Sequence, residues 1–308
     1  MKVVISLVAS FILIAVSSLV LSDARQTVYD YQDEPPVLGE KVEKPVELIV
    51  IPILRENTIF PMFSAQAVLV EDLDSGTILY EKNSNTPFLP ASTTKIITAL
   101  VAMDSYPLNK ILTVGNIDVD GQKMHLVTGE QISVENLLYG ILVYSANDAA
   151  EVLAQNYFGG RAAFINAMNL KSVELELTDT FFENPTGFDG INQKTTARDL
   201  IKTSTVAMQR PLFRKIVGTK EIVVESVDGE IVHRLVNINK LVGEIDGVLG
   251  VKTGWTENAR ENLITYVERG DKKVMMVVLG SQDRFGETET LIDWIFTNYS
   301  WEKMLAEN

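Results

Sequence analysis

The sequence predicts an α+β fold in which one antiparallel sheet takes strands from both ends of the chain. Near the start of the folded part, residues 65–72 and 76–83 flank an Asp/Gly turn, which is typical of a β-hairpin. Residues 133–217 have mostly helical spacing of their apolar side chains. After residue 217, the apolar residues recur every second position, as in strands, before a last segment with helical spacing. Strands, helices, strands and a final helix therefore favour a sheet with helices packed against it.

Composition limits the classes of function. The 308 residues are 46% hydrophobic and 22% charged, which is enough for a substantial core. A net charge of −14 argues against nucleic acid as a partner, because phosphate binding needs clustered cations. The chain has no cysteine, so disulfides and thiolate nucleophiles are excluded. Two histidines, His125 and His233, are too few for a His-rich zinc site, and we expect neither a metal nor a cofactor.

The N-terminus predicts export. Lys2 precedes an uncharged, strongly apolar run at 3–21, so residues 1–24 are interpreted as a signal peptide or an N-terminal membrane anchor. Residues 25–63 are predicted to form a spacer, because they contain five of the ten prolines among acidic residues. The apolar patch at 46–54 is expected to form a strand or to pack on the body. The remaining domain, 64–305, then works in the periplasm or at the outer face of the cytoplasmic membrane.

The elements follow in order along this domain. A helix is predicted over most of residues 86–104 after the first hairpin, and residues 133–158 predict two helices with a break near Ser145. A second hairpin flanks a Val-Asp-Gly turn, and a third pair of strands is joined by Gly-Asp. The other expected elements are helices at 161–172, 196–209 and 211–217, strands at 220–226, 230–236, 262–270 and 272–281, and a C-terminal helix over 287–305.

The segment "PASTTKIITALVA" poses the chemical question. On a helix, positions i and i+3 share a face, so Ser92 and Lys95 can place a hydroxyl beside an amine. A lysine whose pKa is lowered by burial and a neighbouring cation can serve as a base for a serine nucleophile. Backbone N–H groups at the helix start would favour developing negative charge. The alternative is that Ser92 caps the helix and Lys95 is a solvated charge.

Two further motifs favour the catalytic interpretation. "YSAND" places Ser145 and Asn147 at the predicted helix break, although either residue can also cap the second helix. "GVKTGWT" places Lys252 and Thr253 in a strand region. Gly254 would allow another backbone or a substrate to approach this strand, which an extended peptide can extend. The plain alternative is a strand with a solvated lysine.

The three motifs S-x-x-K, S-x-N and K-T-G, in this order, resemble the signature of the penicillin-recognising serine enzymes. With "SANDAAEVLA" and "ENPTGFDG", they closely resemble the low-molecular-mass D-alanyl-D-alanine carboxypeptidases of peptidase family S11. The resemblance covers about residues 64–300. It implies a β-lactamase/DD-peptidase-like fold, with a five-stranded antiparallel sheet flanked by helices and an all-helical lobe.

The resemblance also implies roles. Ser92 would attack the carbonyl between two terminal D-alanines of a peptidoglycan stem peptide, with Lys95 as base. Ser145 and Lys252 would relay protons and lower the pKa of Lys95, and Asn147 would contact the substrate backbone. We expect Lys95 to be buried against Ser92, Ser145 and Lys252.

The carboxylate end of the substrate has its own implied residues. Thr253 would bind the terminal carboxylate, Gly254 would allow close approach, and the N–H groups of Ser92 and Trp255 would hold the oxyanion. Arg284 corresponds to an arginine that contacts the free carboxylate in the family, a role that suits recognition of a chain end. The alternative for Arg284 is a solvated loop cation.

Some features depart from the family pattern, and other functions stay open. Arg260 stands where the family usually has glycine, which leaves substrate preference open. The β-rich second domain and C-terminal anchor of many members do not follow 299–305, so anchoring is expected from the N-terminal segment. A β-lactamase on the same scaffold would need a deacylating base such as Glu183. A DD-endopeptidase would use the same residues, and a wall-binding module would keep the cleft without turnover.

Overall fold

The computed structural model describes residues 48–305. The strands are β1 Leu48–Leu54, β2 Ala67–Asp72, β3 Ile78–Lys82, β4 Ile111–Thr113, β5 Gln131–Ser133, β6 Glu221–Glu225, β7 Val232–Val236, β8 Val248–Thr256, β9 Arg260–Arg269, β10 Lys272–Ser281 and β11 Tyr299–Leu305. The helices are α1 Lys95–Ser105, α2 Val134–Val143, α3 Asn147–Gln155, α4 Gly160–Glu174, α5 Ala197–Met208, α6 Pro211–Val217 and α7 Arg284–Asn298.

The main sheet has five strands in the order β3-β2-β10-β9-β8, and every neighbouring pair is antiparallel. The strands β2 and β3 come from the start of the domain, and β8, β9 and β10 come from its last third. The predicted α+β class and the predicted origin of the sheet are therefore confirmed. The strand β8, which carries the Lys-Thr-Gly motif, lies at one edge.

Alternation along the strands produces a hydrophobic core on each face of the sheet. On β2, Leu69 belongs to the core shared with the helical lobe, whereas Val68 and Val70 belong to the core under α7. Successive side chains of a strand point to opposite faces, so a central strand covered on both sides is apolar throughout. All three side chains are fully buried.

Helix α1 lies deep in the molecule. Every residue from Lys95 to Ala102 is buried, including the lysine itself. A helix that is apolar on all sides has to be surrounded by other elements, and α1 packs against α2, α4 and α5. Helices α2 and α3 are separated at Ser145, where the break was predicted.

The C-terminal prediction was partly wrong. Helix α7 ends at Asn298, and residues 299–305 form β11, which pairs antiparallel with β1. In β11, the Tyr299 hydroxyl donates to the carbonyl of Leu79 (2.6 Å), and Trp301 Nε1 donates to Asp72 (2.8 Å). Tyr299 and Trp301 are two positions apart, so in a strand both side chains point to the same face and pack on the rest of the domain. These contacts stabilise a strand here rather than a helix.

The expected segment 1–24 lies outside the described residues, as does 25–47 of the expected spacer. Within the remainder of that spacer, β1 is the strand that the apolar patch was expected to provide. Between residues 48 and 305, none of the helices combines the length and the apolarity that a membrane crossing requires.

Candidate active site

Ser92 lies on a tight turn at the entrance of α1. Residues Ala91–Thr94 form a single 3₁₀ turn that continues directly into the helix. In a 3₁₀ turn, side chains at i and i+3 lie one above the other. The spacing of Ser92 and Lys95 therefore brings them together, as predicted, although through a tighter turn than an α-helix.

A buried asparagine fixes the approach to this turn. Asn262 on β9 donates its Nδ2 to the carbonyls of Leu89 (3.0 Å) and Pro90 (3.2 Å), and its Oδ1 accepts from the N–H of Gly280 (2.9 Å). Ala91 then takes a positive φ of 48°, an uncommon conformation for a residue with a Cβ. The turn is thus tied to the sheet just before the serine.

Two glycines let other backbones approach the turn closely. A Cβ on Gly254 would lie 3.1 Å from Ala91 Cβ and 3.2 Å from the backbone nitrogen of Ser92. A Cβ on Gly187, which has a φ of +94°, would lie 1.9 Å from the carbonyl oxygen of Ala91. The strand β8 and the loop at 183–190 therefore enclose the serine from two sides.

The side chain of Lys95 makes three hydrogen bonds in the interior. Its Nζ is 2.9 Å from Ser92 Oγ, 2.7 Å from Asn147 Oδ1 and 2.6 Å from the carbonyl oxygen of Thr186. The residue is 0% exposed, so its expected burial is confirmed. The expected neighbour Ser145 makes its hydrogen bond with Lys252 instead.

Burial determines the acid–base behaviour of Lys95. Removal from water lowers the pKa of its ammonium group to about 7, although the carboxylates of Asp148 and Glu151 act in the opposite direction. A substantial fraction of the amine is then neutral near pH 7, which is the form that can accept a proton.

The second lysine occupies a matching position beside Ser145. Lys252 is 1% exposed, and its Nζ donates to Ser145 Oγ at 2.8 Å. Burial lowers the pKa of Lys252 well below its usual range, and the positive charges of Lys95 and Arg284 lower it further. Ser145 itself has a positive φ of 62°, which marks the strained corner between α2 and α3.

These residues face a cleft of about 740 Å³. Its wall includes Ser92, Ser145 and Asn147 on one side and Thr253, Gly254, Trp255 and Arg284 on the other, together with loop residues at 186–189. Lys95 and Lys252 lie behind this wall, where each contacts a serine that lines it. The cleft thus joins all nine residues that the sequence singled out.

Arg284 and Thr253 have unused hydrogen-bonding capacity. Arg284 donates Nη1 to the carbonyl of Gly254 (2.8 Å), but its buried Nε–H has no partner among residues 48–305. The buried Thr253 hydroxyl also has no hydrogen-bond partner among residues 48–305. Burial lowers the pKa of the Arg284 guanidinium, and Glu261 opposes this effect. A half-buried cation with a free N–H donor suits an anionic ligand group.

The other candidates lie elsewhere. Glu183 does not line the cleft, and its Oε1 accepts from Asn192 at 2.9 Å. His125 is exposed, and His233 is buried against Glu130. Across residues 48–305 there is no group of three or more His, Cys, Asp or Glu side chains that could hold a metal ion.

Comparison with known proteins agrees with this geometry. The sequence model for peptidase S11, D-alanyl-D-alanine carboxypeptidase, matches residues 56–283. The chain belongs to this family. The carboxypeptidase DacF of Bacillus subtilis is 32% identical over 253 residues, which cover 79% of this chain and 64% of the relative. The chain therefore matches just under two thirds of the length of that relative.

Proteins with other names are similar to this chain to the same extent. A D-alanyl-D-alanine endopeptidase of Pseudomonas aeruginosa is 32% identical over 239 residues, covering 75% of this chain and 77% of the relative. The crystal structure of the Streptomyces K15 DD-transpeptidase aligns with a TM-score of 0.72 and 30% identity, covering 78% of this chain and all of that chain. The expected DD-peptidase-like fold is confirmed.

The family resemblance did not predict several residues that build the site. Thr186 contributes a backbone carbonyl to Lys95, and Asn184 organises that loop by accepting the N–H groups of Gly187 (2.7 Å) and Phe188 (3.0 Å). The loop motif "ENPTGFDG" was visible in the sequence, but its contact with Lys95 was not. Asn147 was expected against the substrate, and the structure adds a direct bond to Lys95.

The departure at Arg260 has a conformational consequence. Arg260 begins β9 opposite Thr256 with a positive φ of 58°. Glycine would adopt this conformation without steric cost. The arginine accepts the strain while remaining exposed, and the pairing of β8 with β9 continues beyond it.

Proposed function

We propose that this chain is a serine-type D-Ala-D-Ala carboxypeptidase that removes the terminal D-alanine from peptidoglycan stem pentapeptides. One observation carries the proposal: a fully buried lysine with a pKa near 7 lies 2.9 Å from a serine hydroxyl that lines a cleft. Neither His125 nor His233 lines the cleft with this serine. Lysine is therefore the base that the site provides.

Acylation would proceed as follows. The neutral amine of Lys95 accepts the proton of Ser92 Oγ, and Oγ attacks the carbonyl carbon of the penultimate D-alanine. The N–H groups of Ser92 and Trp255 stabilise the resulting oxyanion, because β8 passes directly beside the serine turn. When the C–N bond breaks, the proton held by Lys95 passes to the leaving amine through Ser145, which is hydrogen-bonded to Lys252. Lys95, neutral again, then takes a proton from water as the water oxygen attacks the ester carbonyl, and it returns that proton to Ser92 Oγ as the C–O bond breaks and the shortened peptide leaves.

Recognition of the chain end would come from the unused donors. The free carboxylate of the terminal D-alanine would accept from the buried Thr253 hydroxyl and from the buried Nε–H of Arg284, neither of which has a partner among residues 48–305. The edge strand β8 would pair with the extended substrate. A β-lactam places a carboxylate and a strained amide in a similar arrangement, so it would acylate Ser92 as well.

The position of Glu183 weighs against a β-lactamase, because its carboxylate lies off the cleft and contacts Asn192. Cutting of cross-links by the same residues is the second candidate, since a relative named as an endopeptidase is as similar as those named as carboxypeptidases. We further propose that residues 1–24 direct export or anchor the chain, with 25–63 as a spacer and 64–305 as the catalytic domain outside the cytoplasm.

The test is to incubate the chain from residue 25 onward with a pentapeptide ending in D-Ala-D-Ala and to measure D-alanine. The wild type is expected to release it, and Ser92→Ala is expected to release none while keeping the melting temperature. Fluorescent penicillin should label the wild type only. Absence of both release and labelling would refute an enzyme and favour a wall-binding module. Rapid penicillin turnover with little D-alanine would indicate a β-lactamase. Cleavage of a cross-linked peptide dimer, without release of D-alanine from the pentapeptide, would indicate an endopeptidase.

A further inference from the structure

The second histidine has a structural setting that the proposed chemistry does not use. His233 on β7 is 5% exposed, and both of its ring nitrogens face oxygen atoms. Nδ1 lies 2.9 Å from the carbonyl oxygen of Met124, and Nε2 lies 2.8 Å from Oε1 of Glu130. A carbonyl only accepts, so Nδ1 carries a proton and donates it. A proton shared between Nε2 and the carboxylate completes the second bond.

These contacts fasten the loop at 114–130, which joins β4 to β5. Glu130 is 4% exposed, and its second oxygen accepts from the N–H of Val127 at 3.0 Å. From the opposite side, Asp148 at the start of α3 accepts the N–H groups of Met124 and Leu126, both at 3.1 Å. The carboxylate of Asp148 thus binds N–H groups of this segment, and the imidazole of His233 binds the carbonyl of Met124.

The same loop holds a residue of the candidate site. The N–H of Asn147 donates to the carbonyl of Gln122 (2.7 Å), and its Nδ2 donates to the carbonyl of Asp120 (2.8 Å). With both contacts made, its Oδ1 points at Lys95 Nζ at 2.7 Å. A Cβ on Gly121 would lie 2.8 Å from Asn147 Nδ2, so the loop fits directly against the amide.

We propose that His233 is a positioning residue for the base Lys95. It fixes the carbonyl of Met124, two residues from Gln122, and so keeps the loop in the place where it orients Asn147. The inference rests on the proposed function, because it is measured through acylation of Ser92. It predicts that the bond to Met124 matters for the rate, whereas the bond to Glu130 matters mainly for stability.

Two substitutions separate these bonds. An asparagine amide nitrogen reaches about the place of imidazole Nδ1, and a glutamine amide nitrogen about that of Nε2. His233→Asn therefore keeps the donor for Met124, and His233→Gln keeps the donor for Glu130. The control is His125→Asn in the same loop, where the histidine is exposed and at a positive φ of 64° that asparagine tolerates.

The measurement is the acylation rate constant with fluorescent penicillin, taken per labelled molecule so that unfolded protein does not count. His233→Gln is expected to acylate about tenfold more slowly, the effect of one lost hydrogen bond in a buried network. His233→Asn and His125→Asn are expected to stay within about twofold of wild type, whatever their melting temperatures.

Equal rate constants per labelled molecule in all four proteins would overturn the inference and leave His233 a purely structural residue. Equal losses in the two His233 variants would also overturn it, because the Met124 bond would then have no special role. If His233→Gln yields no folded protein, the double variant His233→Leu/Glu130→Leu replaces it, since it leaves no buried charge unpaired. A wild type that neither reacts with penicillin nor releases D-alanine would instead refute the proposed function.

Discussion

Gly187 offers a sharp test of how the serine turn is held. Its φ of +94° is disfavoured for any residue with a Cβ, and a Cβ built there lies 1.9 Å from the carbonyl oxygen of Ala91. Ordinary van der Waals contact begins near 3.4 Å. In Gly187→Ala, the loop and the serine turn therefore have to move apart by about 1.5 Å, since the backbone fixes the position of the Cβ and the oxygen that it meets is a backbone atom.

The expected consequence is a large loss of rate. A misplacement of about 1 Å at a reacting group can cost about 100-fold, so we expect at least that loss in the acylation rate constant of Gly187→Ala. The same displacement takes the carbonyl of Thr186 away from Lys95 Nζ, which it now meets at 2.6 Å. The assay is stopped-flow acylation by fluorescent penicillin, with D-alanine release from the pentapeptide measured in parallel.

Gly76→Ala is the matched control. Gly76 also has a positive φ, +69°, but a Cβ there would meet nothing within 4 Å. Both variants bear the conformational cost of about 1–2 kcal/mol for alanine in the left-handed region, and only one bears the clash. If Gly187→Ala acylates as fast as Gly76→Ala, the loop does not hold the serine turn and the reasoning fails.

Three other predictions concern the charged groups. Because the pKa of Lys95 is about 7 and only its neutral form accepts a proton, the acylation rate constant should rise with pH through about 7 and then level off. A rate constant that does not change from about pH 5.5 to about pH 8.5 would contradict the role of Lys95 as the base. Lys252→Met should abolish acylation yet raise the melting temperature, by the equivalent of about 1–3 kcal/mol, because burial of this amine disfavours the proton that it binds in the unfolded chain; a lower melting temperature would count against the depressed pKa. Arg284→Gln should raise KM about 10–100-fold for a peptide with a free terminal carboxylate, and far less for the same peptide as an amide; equal losses with both peptides would exclude recognition of the chain end.

The catalytic constellation was predictable from the sequence because its chemistry restricts both residue type and spacing. A serine and a lysine three residues apart can meet on one turn, and the motifs around Ser145 and Lys252 have few other purposes when they occur together. The five-stranded sheet was predictable in outline, since its strands are short runs rich in apolar residues that lie between recognisable turns.

The supporting contacts were not predictable, because many involve backbone atoms. The carbonyl of Thr186 bonds Lys95, but any residue has a carbonyl, so no residue type marks the contact. Asn262 is a polar residue beside the apolar Leu263 and Ile264, which was a visible signal, yet its target at Leu89 lies far away in the sequence. The strand at 299–305 was missed because the partner that stabilises it, β1, lies at the other end of the domain.

The ribbon of β1 and β11 has a mechanical consequence. Its register places Leu48 opposite Leu305 at one end and Leu54 opposite Tyr299 at the other. A pull that lifts Leu48 away from β11 would therefore load the outermost hydrogen-bonded pair first and open the ribbon one pair at a time, in the manner of a zipper. Because neither β1 nor β11 belongs to the five-stranded sheet, the ribbon can open without breaking a hydrogen-bonded pair of the sheet that carries the cleft.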